Sequence, residues 1–81
     1  MIKALYQVEM VFKCKKPEIF DEINMKLYTL SLANKCNLSN KTEKRLNMVT
    51  FGIFEDYNDA CKMHYKVKEV LNYYYDKDLI I

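Results

Sequence analysis

The chain has 81 residues, 51% of them apolar and 30% charged, with a net charge of +2. That length holds one domain, spanning residues 1–81, and the balance excludes a disordered chain or a strongly basic polyanion-binding module. Three cysteines without a CxxC pair, no apolar run of about 20 residues and no unbroken apolar N-terminus point to a reduced, cytoplasmic protein with no membrane segment.

The first segment alternates strictly. Ile2, Ala4, Tyr6, Val8, Met10, Phe12 and Cys14 fall on one face, and Lys3, Leu5, Gln7, Glu9, Val11, Lys13 and Lys15 on the other. Period two predicts a strand with its even face toward the core. Leu5 and Val11 interrupt the polar face.

Pro17 and Glu18 then open a helix, since proline tolerates the first helical position and an acid suits the positive end. Ile19, Phe20, Ile23, Leu27 and Leu30 share one helical stripe, and the helix should end between Leu30 and Asn34. Lys35–Ser39 reads as a short edge strand, followed by turn-like Asn40-Lys41-Thr42-Glu43.

Arg45–Glu55 reads as a strand with two apolar faces, Leu46, Met48 and Phe54 on one and Val49, Phe51 and Ile53 on the other. Two apolar rows predict a central strand covered from both sides. Asp56 or Asn58 should cap a second helix, with Ala60, Met63, Val67, Leu71 and Tyr74 inward. Leu79–Ile81 would form a short last strand.

The resulting order predicts an α+β two-layer sandwich of the ferredoxin-like, split βαβ kind, with two helices on one face of a small antiparallel sheet. Phe54-Glu55-Asp56-Tyr57-Asn58-Asp59-Ala60 resembles the third-strand end and second-helix start of RNA-recognition-motif domains. Asn47–Ile53 departs from that family's RNP1 pattern. Its glycines are missing at Met48 and Thr50, Val49 stands in place of an aromatic, and Phe51 alone matches a base-stacking position.

No motif supplies a nucleophile, a base and an oxyanion site together, so the expectation is a non-enzyme without cofactors or metal. Cys61 and His64, three apart on a helix, with Cys14 and Cys36, make a four-ligand soft set but lack the short-spaced pairs of structural zinc sites. Exposed tyrosine and apolar positions on the helices fit a protein-interaction module, with Tyr65, Tyr73, Tyr28 and Met25 meeting a partner. Val49, Phe51 and Ile53 are expected to mediate self-association as a homodimer through the uncovered sheet face.

The abundance of Lys, Asn, Ile and Tyr points to AT-rich coding. It suggests a phage or mobile-element source and a role such as inhibiting a host defence system. The alternatives are single-stranded nucleic-acid binding on the open sheet face, with Phe51 as a stacking platform, and a ligand or catalytic site at a dimer cleft around Cys61 and His64. A single arginine, Arg45, argues against nucleic acid.

Overall fold

The computed structural model describes residues 4–81. Ile2 and Lys3, assigned above to the first strand, lie outside the described residues. Alternation gives strand β1 over Tyr6–Phe12, with Val8 and Phe12 buried and Glu9 and Val11 exposed.

Helix α1 covers Pro17–Ala33 and buries Ile23, Leu27 and Ser31. Strand β2 is Asn37–Glu43, β3 is Leu46–Phe54, and helix α2 is Tyr57–Asp76. Asp56 caps α2, its carboxylate accepting from the Asn58 N–H at 2.8 Å.

The sheet order is β1-β3-β2, with β3 antiparallel to both neighbours. Helix α1 connects the two edge strands. The fold is therefore α+β, with a three-stranded antiparallel sheet and two helices. Val8, Phe12, Val49 and Phe51 from the sheet join Ile23 and Leu27 of α1 and Met63, Val67 and Tyr74 of α2 in one core. Both helices therefore cover the same face. Burying an aliphatic or aromatic side chain contributes about 1.5–3 kcal/mol, so this cluster is the chief source of stability.

Three sequence expectations are corrected. Strand β3 is central in its pairing, but only the face bearing Val49 and Phe51 is covered; Leu46 on the other face is exposed. Asn40–Glu43 is not a turn but the second half of β2, paired with Leu46–Val49. Lastly, the ladder skips Ile53. Tyr6 pairs with Phe54 and Gln7 with Gly52. This bulge reverses the inside–outside parity, so Phe54 packs against the core and Ile53 is exposed.

The turn between β2 and β3 is Lys44-Arg45, with φ of 51° and 69°. Two consecutive left-handed residues are the requirement of a type I′ hairpin, normally met by Asn-Gly. The left-handed region also recurs where each helix stops. At Lys35, φ is 53°, and the Cys36 N–H reaches the Ser31 carbonyl at 3.1 Å. At Asp78, φ is 60°, and the Leu79 N–H reaches the Tyr74 carbonyl at 3.0 Å. Both are Schellman ends built without glycine.

Left-handed geometry costs an L-residue roughly 1–2 kcal/mol. Replacing the turn as K44N/R45G should therefore stabilise the fold by about 1 kcal/mol after the added chain entropy of glycine. That raises the melting temperature by about 4–8 °C in a domain of this size. A thermal melt checks it; a lower melting temperature would place the turn outside type I′ geometry.

Candidate interaction surfaces

Four exposed regions stand out, three of them bearing residues anticipated from sequence. The first is the outer side of α1. A helix turning 100° per residue sets Met25, Tyr28 and Leu32 on one stripe opposite Ile23, Leu27 and Leu30. All three are exposed, at 66%, 53% and 61%. α1 is thus apolar on two sides, and only one side is used by the core. Polar Thr29, beside the stripe, turns its hydroxyl back to donate to the Met25 carbonyl at 2.9 Å.

The second region surrounds Tyr73. Its ring is flanked by two ammonium groups, Lys26 Nζ at 4.6 Å and Lys77 Nζ at 4.4 Å from the centroid. It also meets the Tyr74 ring edge-on at 5.1 Å. Lys77 lies close enough to hydrogen-bond the Tyr73 hydroxyl and holds its pKa below the ordinary tyrosine value. Tyr73 is therefore partly occupied by cation–π contacts within its own chain. Beneath it, Tyr74 is buried and donates its hydroxyl to Glu22 Oε1 at 2.9 Å.

The third region is the flank of α2 nearest β1. Tyr57 packs edge-on against Tyr6 at 5.4 Å, and His64 against Tyr65 at 5.6 Å. Between them a groove of about 280 Å³ runs past Tyr6, Val8, Cys61 and His64. Hydrogen bonding to the Cys61 thiol raises the Tyr57 pKa. Tyr65 itself is 65% exposed.

The fourth region is a groove of about 730 Å³ where β1 leads into α1. Phe20, Cys14 and Ile81 form its apolar part, and Lys13, Lys16 and Arg45 line it together with one acid, Asp21. Lys15, also in the lining, is paired with Asp78 at 2.5 Å. Buried Asn47 closes one wall, accepting from Thr42 Oγ1 at 3.1 Å. This concavity had no signal in sequence, because its cations come from separate loops.

The four positions expected to bind a partner therefore do not form one patch. Met25 and Tyr28 share a stripe with Leu32, Tyr73 is held by lysines at the end of α2, and Tyr65 belongs to the β1 flank. Val49 and Phe51, expected to mediate self-association, are 1% and 0% exposed and lie beneath the helices. Their surface is consumed by the core. Ile53 is the one residue of that trio left outside, 67% exposed, beside Leu5 and Gln7.

The base-stacking role is corrected for the same reason. Phe51 points into the helices, and the open sheet face presents Gln7, Glu9, Thr50, Ser39 and Lys41 across its middle, with no aromatic among the described residues. The cysteines are dispersed as well. Cys14 accepts from Asn47 Nδ2 at 3.7 Å, and Cys36 donates to the Ser31 carbonyl at 3.8 Å. Burial raises both of these thiol pKa values. No group of three or more His, Cys, Asp or Glu side chains is placed to hold a metal among the described residues. No helix among them is long and apolar enough to cross a membrane.

The chain matches no protein-family model, and no curated protein or solved structure matches it.

Proposed function

We propose that this chain is a small non-catalytic interaction module that binds a protein partner, as a regulator or inhibitor of it. The observation that carries the reading is the second apolar side of α1. Met25, Tyr28 and Leu32 lie one helical turn apart and exposed, with the flexible thioether and aromatic ring that recur in protein interfaces. The pattern is that of a helix offering i, i+3 and i+7 anchors to a groove. A ferredoxin-like reading of the topology supports this use, because α1 then lies on the outer layer with its far side turned away from the sheet.

The triple variant M25S/Y28S/L32S tests the assignment. Replacing three exposed apolar side chains should keep the folded circular dichroism spectrum and lower stability by at most about 1.5 kcal/mol, since each surface substitution alters it by about 0.5 kcal/mol or less. Partner capture should fall by at least about tenfold, the loss expected when interface anchors are truncated. Undiminished capture would move the partner site off α1, and Y65A/Y73A then tests α2.

One observation favours a second reading. The basic lining of the 730 Å³ groove, Lys13, Lys16 and Arg45, would suit an anionic ligand or a nucleic-acid backbone. Such binding would weaken steeply with salt and would be insensitive to the α1 stripe.

A further inference from the structure

Strand β1 is an edge strand, and its outer side is joined by other chain only at one end. There Cys14 bridges Ile80, with the Ile81 N–H donating to the Lys13 carbonyl at 2.9 Å and the Lys15 N–H to the Leu79 carbonyl at 3.0 Å. The backbones of Lys13 and Lys15 therefore face outward. Antiparallel pairing alternates the direction of successive backbone groups. Val11, Glu9 and Gln7 must then also turn their N–H and C=O groups outward, while Val8, Met10 and Phe12 serve the ladder with β3. No partner for the outward groups occurs among the described residues. An exposed edge of this kind is a template for another strand.

We infer that a second copy of this chain fills that edge, with the two β1 strands antiparallel about a two-fold axis at Val8. The register follows from the residues. Outward backbone must meet outward backbone, so odd residues pair with odd residues. Centred on Val8, Glu9 faces Gln7 of the second copy, an acceptor against an amide donor. Val11 faces Leu5 of the second copy.

Leu5 and Val11 are the two apolar residues that break the polar face of β1, and they are 58% and 52% exposed. Val11 also pairs with Met48 within its own sheet, and Leu5 lies beside Ile53. The pairing thus builds one continuous apolar row, Met48 and Val11 of one copy against Leu5 and Ile53 of the other, and a symmetric second row. Facing the helices, Val8 meets Val8, and Met10 meets Tyr6.

The neighbouring registers fail. Centring on Glu9 sets two carboxylates opposite each other and places Val11 against Gln7 and Leu5 against Lys13, so the two apolar residues no longer meet. Centring on Gln7 sets the Glu9 carboxylate against apolar Leu5 and leaves Val11 without an apolar partner. The assembly is isologous and closes as a dimer, forming one six-stranded sheet. This surface is separate from the α1 stripe and does not depend on the partner reading.

Sedimentation velocity over a concentration series tests it. The full chain should sediment as a dimer of twice the chain mass. Glu9→Pro removes an outward N–H that β3 does not use, and should give a folded monomer. Val11→Lys places an ammonium against Leu5 at both symmetric positions and should weaken the dimer by about tenfold. The double variant V11K/L5E sets Lys against Glu across the axis and should restore it. A wild-type monomer at every concentration would overturn the inference, as would a dimer indifferent to both Glu9→Pro and Val11→Lys. Failure of L5E to rescue V11K would overturn the register. M25S/Y28S/L32S should leave the dimer intact, so the two surfaces are tested apart.

Discussion

Phe51→Ala should lower the stability by about 3–5 kcal/mol, the cost of emptying an aromatic-sized site in a packed core. Small domains hold only about 5–15 kcal/mol in total, and an 81-residue chain belongs at the low end. The variant should therefore be largely unfolded at 37 °C. Phe51 is fully buried between the sheet and the helices, paired with Val8 of β1 on one side and Leu38 of β2 on the other. Thr50→Ala, one residue earlier on the open face, should change stability by about 0.5 kcal/mol or less. Urea titration of the two variants checks which face of β3 meets the helices. Similar losses in both would reverse that assignment.

Tyr74→Ala should be comparably severe, about 3–5 kcal/mol, for the same reason of volume. Tyr74→Phe keeps the ring and removes the hydrogen bond to Glu22, so the loss should be about 1 kcal/mol. The hydroxyl also sets a pH dependence. Burial, the leading cause, raises the Tyr74 pKa above the ordinary tyrosine value. The unfolded chain then releases this proton from about pH 10, while the folded chain retains it longer. The folded state binds more protons in that interval, so stability is intact below about pH 10 and falls as pH rises toward the folded pKa. Wild type and Tyr74→Phe should therefore converge in melting temperature above that pH. A constant gap would detach the hydroxyl from the alkaline response.

Much of this architecture is written in the sequence as periodicity. The alternation of Val8, Met10 and Phe12 and the helical stripes Ile23–Leu27 and Met63–Val67–Leu71–Tyr74 each match one buried face. Asp56 announces a helix start because a carboxylate before a helix satisfies free N–H groups. Strand β2 was legible only in part, since Asn37–Glu43 is a polar edge strand whose pairing comes from β3 and not from its own side chains. The hairpin was hidden by its composition: Lys44 and Arg45 carry no turn signal, yet both are left-handed.

Which row of β3 faces inward was undecidable from pattern alone, because Val49–Phe51 and Leu46–Met48 are both apolar. The bulge at Ile53 then reversed parity at a point no alternation rule reveals. For the surfaces, exposure of Tyr28, Tyr65 and Tyr73 followed from helix geometry. Their separation did not, since it depends on how α1 and α2 are set against the sheet.

Whether this chain acts by binding protein is decided most directly by capture. Tagged wild-type chain is exposed to lysate of its source organism, with and without nuclease, and both protein and nucleic acid in the eluate are identified. One protein should be recovered at a fixed ratio to the chain, retained after nuclease and lost with M25S/Y28S/L32S. Nucleic acid as the sole ligand, released by nuclease or salt, would contradict protein binding and transfer the function to the basic groove.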